Sequence, residues 1–146
     1  MTDAIWFLHP RLEADTVPVG DFALSRLLLS NDANYPWLIL VPRRPAIREI
    51  HELSEDDQVQ LLRESGHLAR AMTTAFTPVK LNIAALGNVV PQLHVHHIAR
   101  YRSDPAWPDP VWGRVRAAMY DEAAQQARIV RLRKLLAEVL TPIGVV

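Results

Sequence analysis

The chain has no cysteine. Disulfides and thiolate-based zinc sites are therefore excluded, and histidine and carboxylates remain as its strong metal ligands. It also lacks a surplus of charge, with 16 lysines and arginines against 16 aspartates and glutamates. Bulk charge thus gives no argument for a nucleic-acid polymer or an acidic membrane surface, and an anionic ligand must be held by local groups. No stretch approaches the ~20 apolar residues of a membrane span. Met1-Thr2-Asp3-Ala4 lacks the basic start and apolar run of a signal peptide. A cytoplasmic location fits these features. Internal repeats and low-complexity tracts are missing too, and with 49% hydrophobic residues in 146 the expectation is one domain over 1–146.

What is present alternates between strand and helix signals. Residues 16–22 and 23–29 alternate or run apolar, with Gly20-Asp21 as a turn signal, and predict two short strands. Asn31-Asp32-Ala33-Asn34 is a polar loop leading into residues 37–41, whose unbroken apolar run predicts a central strand buried on both faces and ended by Pro42. Ser54 followed by Glu55, Asp56 and Asp57 predicts a capped helix start, with acids at the positive end of the dipole. Val59, Leu62, Leu68, Ala69, Met72 and Phe76 are its expected apolar stripe, and Pro78 marks its end. Residues 80–86 and 92–100 predict an antiparallel pair joined by the Gly87-to-Pro91 loop, with Gly87-Asn88 as its turn. Pro105, Pro108 and Pro110 exclude a helix from the tryptophan-containing connection at 103–113. Residues 121–140 read as a last helix, apolar at Ile129, Leu132, Leu136, Val139 and Leu140, with Arg128, Arg131, Arg133 and Lys134 towards its negative end. The order strands, helix, strands, helix predicts an α+β fold with helices laid on an antiparallel sheet.

The chemistry concentrates in residues 92–100, where three of the six histidines, His94, His96 and His97, fall within four positions. Strand alternation puts Gln92, His94, His96 and Ile98 on one face and Leu93, Val95, His97 and Ala99 on the other. A His-x-His pair on a strand has three readings: a metal site, a nucleophile or general base, or two structural histidines. A metal needs a third and usually a fourth ligand, and no aspartate or glutamate shares this face of the strand, so catalysis ranks above metal binding. Gln92, with Asn82 on the neighbouring strand and Asn88 in the loop, adds uncharged donors that suit the oxygens of a phosphoryl group. His97, on the other face, reads as a packed histidine, and His9, His51 and His67 carry no catalytic signal.

These residues resemble the histidine triad (HIT) family of nucleotide hydrolases and transferases, whose motif is His-φ-His-φ-His-φ-φ on a strand. Gln92-Leu93-His94-Val95-His96-His97-Ile98 fits that frame with glutamine in the first histidine position. The strand ending Val41-Pro42, the basic pair Arg43-Arg44 and the helix entrance at His51 to Asp56 also look like the segments that precede the motif, so about half the chain matches in order. The resemblance implies a HIT-like fold, an antiparallel sheet of about five strands with two main helices, and a homodimer in which the helix from Ser54 and a strand edge take part. It places the family's nucleophile on His94 and the third histidine, near the bridging oxygen, on His96. The implied reaction is attack of His94 on the α-phosphorus of a nucleotide conjugate, either a dinucleoside polyphosphate or a nucleoside phosphoramidate, through a covalent nucleotidyl-histidine that water hydrolyses. No metal or other cofactor is expected. Asn82 looks like the residue that contacts the phosphate, and Asn31 and Asp32 fall where the family binds ribose hydroxyls.

Three departures mark a divergent branch: Gln92 for the first histidine, Trp37 where many members carry a fourth, and Ala99 for a common proline. Hexose-phosphate uridylyltransferases, in the wider family, keep the nucleophile with a glutamine in the triad, so such a site is compatible with activity. The alternative is a nucleotide-binding or regulatory module that retains the fold without turnover. Trp107 and Trp112 are candidates for stacking on a base or for packing within their own loop. Arg100 is expected either to reach a phosphate or to lie on the surface.

Overall fold

The computed structural model describes residues 4–143. Its five strands are β1 (Thr16–Asp21), β2 (Ser25–Ser30), β3 (Trp37–Pro42), β4 (Lys80–Ala84) and β5 (Val95–Arg100), and its helices are α1 (Pro10–Asp15), α2 (Glu55–Phe76) and α3 (Glu122–Leu135). The strands form one antiparallel sheet in the order β1-β2-β3-β5-β4. The α+β architecture with two long helices is as expected; the short α1 is additional. β3 lies in the middle, and its Leu38, Ile39, Leu40 and Val41 are buried on both faces.

The two faces of the sheet are covered differently. Leu27, Leu29, Leu38, Leu40, Val95 and Ala99 face α2 and α3 and build the main core with Leu61, Leu68, Met72, Ile129, Leu132 and Leu136. On the other face Leu28, Ile39 and Val41 are covered by the amino-terminal segment through Trp6, Leu8 and Leu12. Ile98 on that face is covered by the long loop after β5 through Ala106 and Val111. The second face therefore has two irregular covers and a gap between them.

Ser54 caps α2, its hydroxyl accepting from the Asp57 amide, and Thr77 ends the helix in the left-handed region. The buried stripe of α2 matches the expected one at Leu68 and Met72, with Phe76 packed at the core's edge, but Leu61, Glu64 and Ala71 complete it, while Val59 and Leu62 are exposed. Glu64 masks the true stripe in the sequence, because a buried carboxylate interrupts the apolar pattern. It is buried because it accepts the Leu24 and Ser25 amides at 2.8 and 2.9 Å, groups that β-pairing leaves free. α3 begins after its cap Asp121 and stops at Leu135 rather than at 140. Leu136 and Leu140 still reach the core, and Thr141 exchanges two backbone hydrogen bonds with Asp21 at the β1 edge.

β5 is also shorter than expected. It begins at Val95, so Gln92, Leu93 and His94 precede the ladder instead of lying in it. Gly87, at a φ of 73°, turns the chain between β4 and this approach.

Candidate active site

The gap on the second face is a cleft of about 400 Å³. Its floor is Trp37 and Ile39 of β3 with His96 of β5, and one wall is α1, through Arg11, Leu12 and Asp15. His94 enters from the approach to β5, Val90 and Asn88 from the β4–β5 connection, and Trp112 from the long loop. α1 forms where it does because Pro10 starts it and the His9 imidazole accepts the Arg11 amide.

His94 and His96 meet in this cleft. They are 7% and 6% exposed, with ring centroids 4.9 Å apart. His94 Nδ1 lies 2.7 Å from the Gln92 carbonyl oxygen. A carbonyl only accepts, so Nδ1 carries a proton, and in the neutral ring the lone pair lies on Nε2. His96 has the reverse arrangement, because Trp37 Nε1–H donates to its Nδ1 at 2.9 Å and the ring proton must sit on Nε2. Burial, and then the neighbouring His94 and His97, push the imidazolium of His96 down to about 3. One ring thus offers a lone pair, and the other a neutral N–H.

His97 points to the helix side. It is fully buried, its Nδ1 donates to the Val95 carbonyl at 3.2 Å, and its Nε2 accepts from the Ser65 hydroxyl at 2.7 Å. Burial lowers its pKa to about 4. It is the packed histidine that alternation predicts.

The sequence profile of the HIT domain matches residues 11–103 of this chain. The chain belongs to the HIT family. Three solved HIT proteins overlay it closely. A histidine triad protein from Bradyrhizobium japonicum is 51% identical, with a TM-score of 0.89, over 90% of this chain and 98% of that one. One from Marinobacter aquaeolei VT8 is 48% identical, with a TM-score of 0.90, over 93% and 99%. One from Sinorhizobium meliloti 1021 is 44% identical, with a TM-score of 0.88, over 90% and 97%. No curated protein gives a match. HIT proteins generally bind nucleotides or act as hydrolases and transferases, and this chain shares their fold.

Within that HIT fold the other expected site residues are scattered. The carboxamide of Gln92 does not lie beside the imidazoles on a shared strand face: its Nε2 donates to the Phe7 carbonyl and its Oε1 accepts from the His9 amide. Asn82 shares the β4 face opposite Ile98, but its Oδ1 accepts from Arg100 at 2.7 Å and it does not line the cleft. Asn88 does line it. Asp32 is buried and accepts from the amides of Asn34 and Ala118, while Asn31 accepts from Gln125. Neither faces the cleft, which Ser30 reaches instead.

Arg100 neither lines the cleft nor lies on the surface. It is 1% exposed, ion-paired with Asp104 at 2.8 Å, and held between Tyr35 and Trp107 at 5.8 and 5.7 Å from their ring centroids. Burial would raise the Asp104 carboxyl, but the Arg100 guanidinium and the Tyr101 and Ala106 amides outweigh it and hold the group at about 2. Trp107 thus packs, while Trp112 stands over the cleft with its centroid 5.2 Å from that of His96. Sequence reasoning missed α1 and with it Arg11, Leu12 and Asp15; the signal for it was His9-Pro10, a cap-capable residue followed by proline. Among the described residues no group of three histidine, aspartate or glutamate side chains converges as a metal-binding set.

Proposed function

We propose that this protein is a nucleotide-conjugate hydrolase or nucleotidyl transferase of a divergent HIT branch, acting at an α-phosphate through a covalent nucleotidyl-histidine on His94. The observation that carries this reading is the opposed hydrogen bonding of the two rings: Gln92 O holds the proton of His94 on Nδ1, and Trp37 holds that of His96 on Nε2. The neutral His94 ring then carries its lone pair on Nε2 as the nucleophile, and His96 presents a donor beside it for an oxygen on phosphorus. The apolar floor and Trp112 suit the base or other planar group of the conjugate, with Arg11 as the cation of the cleft wall.

A homodimer is part of the same proposal. Ile50, Val59, Leu62 and Ile83 are exposed apolar side chains around one groove between α2 and β4. β4 is also an edge strand with an unpaired side, which a second copy would cover.

The test is an acid quench of the protein with a panel of dinucleoside polyphosphates and phosphoramidates, followed by intact mass measurement. A nucleotidyl adduct on wild type that is lost in His94→Ala is expected. A second reading, nucleotide binding without turnover, draws on the Gln92 carboxamide, which is bonded to Phe7 and His9 and does not line the cleft with the pair. Tight nucleotide binding with neither adduct nor product across the panel would establish it instead.

A further inference from the structure

Trp37 stands on β3 beside His96, and its indole N–H is a donor only. At 2.9 Å from His96 Nδ1 it does two things. It fixes the neutral tautomer with the proton on Nε2. It also opposes the imidazolium, because a proton on Nδ1 would set two N–H donors against each other.

The rest of the surroundings act in the same sense. The His96 ring is packed against Trp37, Trp112 and His94, at centroid distances of 5.6, 5.2 and 4.9 Å. Its titratable neighbours are His94 in the cleft and His97 on the opposite face, both of which disfavour a further positive charge. The charged residues of the cleft wall, Arg11 and Asp15 of α1, are well exposed and lie 3.7 Å from each other. Among the described residues no carboxylate contributes to the environment of His96 in the way that would stabilise an imidazolium.

We propose that Trp37 is a positioning residue that holds His96 as a neutral Nε2–H donor, and that the site therefore selects leaving groups that depart without taking a proton, a phosphoanhydride over a phosphoramidate. The selectivity rests on the nucleotidyl-transfer reading above. In the first step the lone pair of His94 Nε2 forms the bond to phosphorus. The bond from phosphorus to the bridging oxygen breaks, and its electron pair leaves on the departing phosphate. That oxygen accepts a hydrogen bond from His96 Nε2–H, and the proton stays on His96. A departing amine needs a proton, and a neutral imidazole N–H is far too weak an acid to supply it. In the second step water adds to phosphorus, the P–N bond breaks with its pair returning to His94, and the proton of the water passes to solvent.

Two measurements test this. In wild type, ¹⁵N NMR of the histidine rings is expected to show an unprotonated Nδ1 and protonated Nε2 on His96, the reverse on His94, and no titration of His96 between pH 8 and 5. The opposite tautomer, or a His96 that titrates near pH 6, overturns the role of Trp37. In Trp37→Phe, kcat/KM for a dinucleoside polyphosphate relative to a phosphoramidate is expected to fall about tenfold, the size of one donor–acceptor term of about 1.4 kcal/mol, and phosphoramidate turnover to gain an acidic limb in its pH profile. An unchanged ratio overturns the selectivity. Should that variant not fold, wild-type rates on nucleoside phosphodiesters of substituted phenols serve instead: they must drop steeply as the phenol pKa rises, and a flat series refutes the idea. If no conjugate is turned over at all, the enzyme reading fails and the selectivity with it, while the NMR result still decides what Trp37 does to His96.

Discussion

Gln92 grips the backbone of the amino-terminal segment at both ends of its carboxamide, donating to the Phe7 carbonyl at 2.7 Å and accepting the His9 amide at 2.9 Å. The same residue's carbonyl oxygen takes the Nδ1 proton of His94. The first position of the triad frame is thus a hinge pin between the histidine pair and the segment that continues into α1, one wall of the cleft. Gln92→Ala removes both side-chain bonds and leaves the carbonyl. The expected cost is about 1 to 2 kcal/mol in urea unfolding, since each bond contributes about 1 kcal/mol or less at a partly exposed site. Hydrogen exchange at the His9 amide should accelerate, and KM should rise more than kcat falls. An unchanged KM would separate the segment from substrate binding.

Stability should decline in mild acid because two buried imidazoles resist protonation. His96 and His97 titrate at about 3 and about 4 in the folded chain, against 6.5 when unfolded. Above pH 6.5 both are neutral in either state and their contribution is complete. As pH falls below 6.5 the unfolded chain takes up protons that the folded chain refuses, so stability falls by up to about 2.7 kcal/mol per pH unit until the folded values are approached. Urea unfolding at pH 7.5 and 5.5 measures this. Equal stability at the two values would contradict the burial of these rings, and His97→Gln should reduce the slope by about half.

The groove between α2 and β4 predicts self-association. Leu62 is 74% and Ile83 51% exposed, and with Ile50 and Val59 they line one groove, a contiguous exposed apolar patch of the kind that marks an interaction surface. Sedimentation of the wild type is expected to give a dimer, and Leu62→Glu with Ile83→Lys a monomer that keeps its circular dichroism spectrum. A wild type that sediments as a monomer at micromolar concentration would remove this proposal.

Much of this was legible from spacing, and what was not failed for identifiable reasons. The apolar run at 37–41 and the cap at Ser54 locate β3 and α2, because burial on two faces and an unpaired helix start leave strong local signatures. Alternation also separates His96 from His97. The stripe of α2 is legible at Leu68 and Met72 but not at Glu64, which is buried through bonds to backbone amides 39 and 40 residues away that no local pattern encodes. Gln92 left the expected row for the same kind of reason: its partners are Phe7 and His9, more than 80 residues earlier in the chain. Asn82, Asn31 and Asp32 were matched by family position, yet each spends its side-chain oxygen on a contact inside the protein. Their placement shows that position in a motif fixes a residue's neighbourhood, while the hydrogen-bond partners decide whether it is free to meet a ligand.

The buried ion pair behind the cleft gives the sharpest stability test. Arg100 and Asp104 are 1% and 3% exposed, and the guanidinium also donates to Asn82 Oδ1 and to the Asp109 carbonyl. Asp104 in turn accepts the amides of Tyr101, Ala106 and Trp107, so the pair fixes the turn that starts the loop carrying Trp112. Removing one partner leaves a charge enclosed between Tyr35 and Trp107 with no counter-ion, which costs about 3 to 5 kcal/mol. Asp104→Ala is therefore expected to lower stability by that amount and, because Trp112 stands over His96, to blunt any tryptophan fluorescence change that the proposed nucleotide binding produces. Arg100→Met fills the same slot with an apolar side chain but strands Asp104. The double variant Arg100→Met, Asp104→Ala should then recover part of the loss, since neither charge remains unpaired. If the double variant is instead as unstable as the sum of the two single ones, the carboxylate's hold on the three loop amides, and not its charge pairing with Arg100, is what stabilises this side of the site.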